Sequence, residues 1–237
     1  MTLFFQHSTV LGVTPRLWED GVVQDQMGLR ERKKLEMRQR LADVAAQLFM
    51  DRGYDAVAMS DVARAAGVAD QTVYNYFPTK SNLVLDRADD MLERAQRAVL
   101  ERASDTTPAE ALSVQVHGDI DHFAARDAVF ARGEFPAQSV VSDSLRRYAL
   151  EFRQNQAEAI AAAIGQTDPD VPALVARVHA SALTTVMQAV TDRIGAAILS
   201  GADLAATARE LHVDADVALT DASNTFRSTM ARFSRPA

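Results

Sequence analysis

Residues 60–77 read SDVARAAGVADQTVYNYF. Val62, Ala63 and Ala66 put small apolar groups on one face of a short helix. A helix that crosses another steeply needs a small residue at the crossing, and Ala63 supplies one. Gly67 follows where a left-handed conformation ends a helix without a Cβ clash, and Val68 can plug the corner. In the next helix Val73 and Tyr76 lie three apart and turn inward together, which leaves Gln71, Thr72, Tyr74 and Asn75 facing out. Pro78 stops that helix just after Phe77, because the residue before proline disfavours the helical region. The segment from about 58 to 77 is therefore two short helices joined by a tight turn. Such a pair presents its second helix to the DNA major groove.

The flanks extend this pattern. Met37, Leu41, Val44, Ala45, Leu48 and Phe49 recur at helical spacing and predict a first helix that Gly53 terminates, with Tyr54 packing back on the core. Helix two is expected from about Met59 to Ala66 and helix three from about Asp70 to Phe77. Thr79 can cap a fourth helix that starts near Lys80 and reaches Arg102, with Val84, Ala88, Met91, Ala95 and Val99 as its inward stripe.

With LFMDRGYDAV (48–57), TVYNYF (72–77) and PTKSNL (78–83) in register, residues 30–102 resemble the DNA-binding domain of the TetR family of bacterial one-component transcriptional regulators. The resemblance implies an all-α protein: an N-terminal helix-turn-helix domain followed by a helical ligand-binding and dimerisation bundle. It implies a homodimeric repressor, released from a palindromic operator on double-stranded DNA by a small-molecule effector. The family also contains activators. Two residues depart from the family pattern. Ala58 stands where a hydroxyl residue usually precedes helix two, and Ala69 where serine usually precedes helix three. Losing a cap costs about 1 kcal/mol. Ser60 or Asp70 can cap instead and shift the helix starts by a residue or two.

For base readout Gln71 and Asn75 stand out, since side-chain amides pair with adenine in bidentate fashion. Thr72 suits a thymine methyl or a phosphate, and Tyr74 and Lys80 suit the phosphate backbone. Core packing is the competing role for Tyr74 and the favoured one for Tyr76. The net charge of −7 argues against a nucleic-acid partner until its distribution is read. Residues 28–102 hold 13 Lys and Arg against 12 Asp and Glu, while residues 103–237 hold 11 against 17. Arg30, Arg32, Lys33, Lys34, Arg38 and Arg40 gather at the first helix, where Lys34 and Arg38 can meet phosphates or else pair with Glu31 and Glu36.

Three segments follow from this division: an N-terminal extension (1–27), the helix-turn-helix domain with its linking helix (28–102) and an effector-binding and dimerisation domain (103–237). The extension, apolar but without a basic residue before Arg16, is not a signal peptide and is too short to span a membrane. Met27 is an alternative start for translation; the other reading is a flexible arm that touches DNA or the partner subunit. The absence of cysteine removes disulfides, zinc–thiolate sites and cysteine nucleophiles, and suits a reducing cytoplasm.

In the C-terminal part, helices are expected from Pro108 (capped by Thr107) to about Arg132, from Ser142 to Ile164 with Gly165 ending it, from Val171 to Leu199, and from Asp203 to Phe233 with a break near Asp214. Ala180, Leu183, Thr184, Met187, Val190, Ile194 and Ile198 line one face, and Val217, Ala218, Asp221, Thr225 and Phe226 another. The resemblance assigns such faces to a twofold four-helix interface; the plainer reading is the core of one subunit. Phe123, Phe130, Phe152, His179 and Met187 are candidate effector-pocket residues, each also an ordinary core residue. His117, Asp121 and His122 in HGDIDH raise a metal-dependent enzyme as an alternative, although no second cluster of ligand spacing accompanies them. A helical ligand-binding protein with decayed DNA binding is a third class, motivated by Ala58 and Ala69. No catalytic residue, cofactor or metal is expected on the leading reading.

Overall fold

The computed structural model describes residues 28–85 and 88–233; the N-terminal extension, with Trp18 and Met27, lies outside them. Among the described residues every regular element is helical. Helices α1 (Leu29–Arg52), α2 (Met59–Ala66) and α3 (Asp70–Tyr76) form the N-terminal domain. A 3₁₀ turn over Ser81–Leu83 leads to α4 (Ala88–Leu100). The bundle then comprises α5 (Pro108–Ala124), α6 (Ala128–Ala131), α7 (Phe135–Val141), α8 (Asp143–Thr167), α9 (Ala173–Ser200) and α10 (Leu204–Phe233).

Several boundaries correct the sequence reading. The segment after Lys80, expected to open a long helix, is a 3₁₀ turn over Ser81–Leu83 braced by Thr79, and α4 is described over Ala88–Leu100. The Thr79 backbone N–H and hydroxyl both donate to Asn82 Oδ1, at 3.1 and 2.6 Å. The single helix expected from Pro108 to Arg132 ends at Ala124. Asp127 then starts α6 by accepting from the Val129 N–H at 2.8 Å. Pro136 occupies the first turn of α7, where no intrahelical N–H is needed. Gly165 stays inside α8, which ends at Thr167 before Asp168–Pro169, and α10 runs unbroken through Asp214.

Two apolar cores interlock. Leu41, Phe49, Val62, Val73 and Phe77 are fully buried in the first, and each such side chain contributes about 1.5–3 kcal/mol. That core also contains Phe135, Leu145, Ala149 and Phe152 from α7 and α8. The second core contains Ala95 and Val99 of α4 together with the inward faces of α5, α8, α9 and α10. The α9 stripe from Ala180 to Ile198 is buried within this subunit, so the plainer reading holds for it. On α10, Phe226 is buried while Val217, Asp221 and Thr225 are exposed. Among the described residues one helix, α9, is long and apolar enough to cross a membrane, and its stripe from Ala180 to Ile198 is packed inside the bundle.

Candidate nucleic-acid interface

Helix α2 packs across α1 and α3 through Val62 and Ala63, both fully buried. Gly67 takes φ 68° and ψ 36°, the left-handed conformation expected of it. The turn closes with the Val68 N–H donating to the Ala63 carbonyl at 3.0 Å and the Gly67 N–H to that of Arg64 at 3.2 Å. Ala58 and Ala69 hold the N-cap positions themselves, so neither helix start shifts to Ser60 or Asp70. At α2 the Asp61 carboxylate accepts from the Ala58 N–H at 3.0 Å, which supplies half of a capping box. The same bond, with Arg64 adding to it, holds the Asp61 carboxyl below its ordinary value. Helix α3 has no side-chain cap, only the Asp70 carboxylate in its first turn.

Val73 and Phe77 anchor α3 inward with no exposed surface, and Tyr76 is half-buried. Gln71, Tyr74 and Asn75 face out, and Thr72 is half-buried. Gln71 Nε2 donates to Asn75 Oδ1 at 3.0 Å, one helical turn away. The two amides thus form one unit that leaves an acceptor on Gln71 and donors on Asn75. That is the complement of an adenine edge, which offers an acceptor and a donor side by side. The amide orientations follow from this hydrogen bond.

The basic residues divide into two groups. Lys34 is exposed on α1, as are Arg30, Arg32 and Lys33. Arg38 is engaged inside the protein. Its Nη1 donates to the Tyr76 carbonyl at 2.8 Å, and its guanidinium lies 4.6 Å from the centre of the Phe77 ring. Arg40 likewise donates to the Ala66 carbonyl at 2.7 Å. These two arginines fasten α1 to the ends of α3 and α2, a use that a charge count does not reveal. Lys80 lies over the Tyr54 ring with Nζ 4.1 Å from its centre, and burial holds its pKa below the usual lysine value.

Polar contacts join this domain to the bundle. The Tyr54 N–H donates to Gln138 Oε1 at 2.8 Å, and Gln138 Nε2 donates to the Arg132 carbonyl at 2.6 Å. Ser144 donates to Asp55, and that bond lowers the Asp55 pKa. Arg126 pairs with Glu134, whose carboxyl is nonetheless raised because it is buried. The Tyr54 hydroxyl, buried beside Asp55 and Tyr148, is pushed up to about 12.

Inside the bundle, one cavity forms where α4, α5, α7, α8 and α9 meet. Phe123, Phe152 and Met187 line it, as do Phe135, Asp119, His122 and Arg153, which the sequence reading did not place there. Of the other pocket candidates, Phe130 is 51% exposed on α6, and His179 packs edge-on against Phe226 at 5.2 Å, away from the cavity. A sequence signal for Asp119 existed. It stands three residues after Val116 and four before Phe123, on the apolar face of α5.

The metal grouping does not assemble. His122 turns to the cavity, while His117 and Asp121 are bridged by His212 of α10. The two imidazoles meet Nδ1 to Nδ1 at 2.7 Å. Their outer nitrogens reach carboxylates, His212 to Asp121 at 2.8 Å and His117 to Asp216 at 3.0 Å. Among the described residues no group of three or more His, Asp and Glu is arranged to hold a metal ion.

Comparison with known proteins places this geometry. Residues 41–86 match the family model described as bacterial regulatory proteins, tetR family. The HTH-type transcriptional regulator BetI of Rhizobium meliloti (strain 1021) is 32% identical over 125 residues, which cover 50% of this chain and 61% of that protein. The fatty acid metabolism regulator protein of Bacillus subtilis (strain 168) is 28% identical over 119 residues, covering 48% of this chain and 56% of that one. The chain therefore spans less than two thirds of the length of either relative. The solved SmeT–triclosan complex superposes with a TM-score of 0.53 at 15% identity, over 78% of this chain and 90% of that one, and so shares the fold. The turn at Gly67, the exposed α3 and the family match agree: residues 41–86 are similar to the helix-turn-helix domain that the tetR family of bacterial regulatory proteins carries.

Proposed function

We propose that the protein is a cytoplasmic DNA-binding transcriptional regulator rather than an enzyme: a homodimer that represses from a palindromic operator and is released by a small-molecule effector. The observation that carries this reading is α3, a helix held from beneath by Val73 and Phe77 that offers the paired amides of Gln71 and Asn75 to a groove. Tyr74 and Lys34 are the phosphate contacts, with Thr72 beside them; Lys80 joins only by leaving the Tyr54 ring, and Arg38 acts by holding α3 in place.

Dimerisation uses the outer faces of α9 and α10, where Leu174, Val178, Val213 and Val217 are each at least 60% exposed. A twofold axis there sets two α3 helices on successive major grooves, about 34–36 Å apart. The effector enters the bundle cavity. Leu85, Phe135 and Phe152 line that cavity and also belong to the core of the N-terminal domain, so displacement of these side chains moves α1–α3. The linking helix α4 carries part of the coupling and α7 and α8 the rest. A coupling of about 1–3 kcal/mol is enough to vacate an operator.

Selection from a random duplex library tests the reading. Enrichment of an inverted repeat with half-sites one helical turn apart, or a multiple of it, is expected. Recovery of no shared sequence overturns it.

A further inference from the structure

The polar atoms of the bundle cavity are unevenly satisfied. Arg153, 8% exposed, spends its guanidinium on neutral acceptors: Gln156 Oε1 at 2.8 Å, Thr191 Oγ1 at 3.1 Å, Gln188 Oε1 at 3.3 Å and the Met187 sulfur at 3.9 Å. Asp119, across the same cavity, makes no hydrogen bond or ion pair among the described residues. Arg153 and Arg94 act on it only through space, and burial carries its pKa up to about 6. Asp119 is half-buried, and its carboxylate faces the cavity without a protein donor among the described residues. His122 Nε2 is closed from solvent and has no partner, and burial holds the ring neutral by lowering its pKa to about 4. The wall thus sets a carboxylate that no described protein donor holds opposite an arginine engaged mainly by neutral acceptors.

An acidic ligand fits this wall poorly. Its head would face the Asp119 carboxylate and find most of the Arg153 N–H groups already bound. A head that donates hydrogen bonds meets the Asp119 carboxylate. Phe123, Phe135, Phe152 and Met187 offer the apolar surround for a body of aromatic or aliphatic carbon. The open space is only about 30 Å³, room for about one water. Entry therefore requires the flexible side chains of Met91 and Met187 to swing aside, a motion unbranched thioethers make readily.

We propose that this cavity binds a small apolar molecule with a hydrogen-bond-donating head, an amine or a phenol, whose N–H or O–H docks on the Asp119 carboxylate. The proposal rests on the reading of the bundle as an effector domain and specifies the effector's chemistry.

Calorimetric titration of the full chain with hexylamine, 4-propylphenol and hexanoate tests it, with Asp119→Asn and Asp119→Glu as variants. Binding of the amine, the phenol or both is expected, with hexanoate at least tenfold weaker. Amine alone identifies a charge-paired head and phenol alone a neutral donor. Asp119→Asn is expected to weaken the donor at least tenfold and Asp119→Glu to restore part of the affinity; the second variant decides if the first fails to fold. Equal or tighter binding of hexanoate, no binding of either donor, or affinity indifferent to both substitutions overturns the proposal. Operator binding measured separately distinguishes the two claims. A protein that binds donors through Asp119 but reads no DNA keeps this site and loses the regulator reading. One that reads its operator but binds no donor does the reverse.

Discussion

Gly133 lies so close to Ala46 that a Cβ built on it would sit 1.9 Å from the Ala46 carbonyl oxygen. The turn between α6 and α7 is thus pressed directly on the backbone of α1, the first helix of the DNA-reading domain. Nothing flexible stands between them, because the atom approached is main chain. Gly133→Ala must therefore separate the two elements. We expect a loss of about 3 kcal/mol or more, at the upper end of overpacking costs, read as a lower urea midpoint. An unchanged midpoint would show that this contact is not close in solution.

Gln138 is the polar counterpart of that contact. Buried on α7, it accepts from the Tyr54 N–H and donates to the Arg132 carbonyl. Gln138→Leu keeps the bulk and strands two main-chain groups, at a cost of about 1–3 kcal/mol each. Chemical denaturation is expected to show a loss of about 2–6 kcal/mol. Because the bond fixes the turn between α1 and α2, operator affinity should fall even where the variant remains folded.

Acid titration separates the two cavity groups. The Asp119 carboxyl titrates near 6 when folded and near its ordinary 3.8 when unfolded, so the folded state holds the extra proton between those values. Its ionisation therefore costs stability as pH rises through that window, by at most about 3 kcal/mol. Asp119→Asn is expected to stabilise the protein at pH 7 and to lose that advantage toward pH 4. His122 has the opposite sign. Its folded value near 4 lies below the ordinary 6.5, so the unfolded state takes up the proton first and stability falls as pH drops below 6.5. His122→Gln should flatten that limb. Thermal melts of both variants from pH 4 to pH 8 check the signs; Asp119→Asn less stable than the parent at pH 7 contradicts the account.

The alanine caps are correctable. Ala58→Ser completes the box that Asp61 has half built, and Ala69→Ser supplies the acceptor that α3 lacks. Each is expected to add about 0.5–1 kcal/mol, seen as a higher melting temperature. A lower melting temperature would mean that serine cannot adopt the extended N-cap geometry there.

The N-terminal domain was readable because its signals are local. Gly67 needs only its neighbours to demand a left-handed turn, and Met59–Ala66 begins and ends where the pattern placed it. The Ala58 and Ala69 departures were visible too, but not that Asp61 makes up half of one cap. Residues 108–141 misled for a physical reason. Apolar periodicity runs on past Ala124, while the breaks depend on the Asp127 cap and on Pro136 sitting in a first turn. The cavity was the least legible feature. Phe123, Phe152 and Met187 are the apolar residues any core would contain, and only packing brings them together while leaving Phe130 and His179 elsewhere. Arg38 shows the same limit: a basic residue in a basic run, turned inward by the carbonyl of Tyr76.

Fluorescence anisotropy with the selected operator and a scrambled duplex, for the parent protein and Asn75→Ala across a salt series, tests the central claim most directly. The parent is expected to prefer the operator by ~10³-fold or more. Asn75→Ala should lose about 1–3 kcal/mol of that discrimination while its salt dependence stays the same, since a neutral amide releases no counterions. Equal binding of both duplexes by the parent, or undiminished discrimination by Asn75→Ala, would contradict the assignment of α3 as the helix that reads DNA.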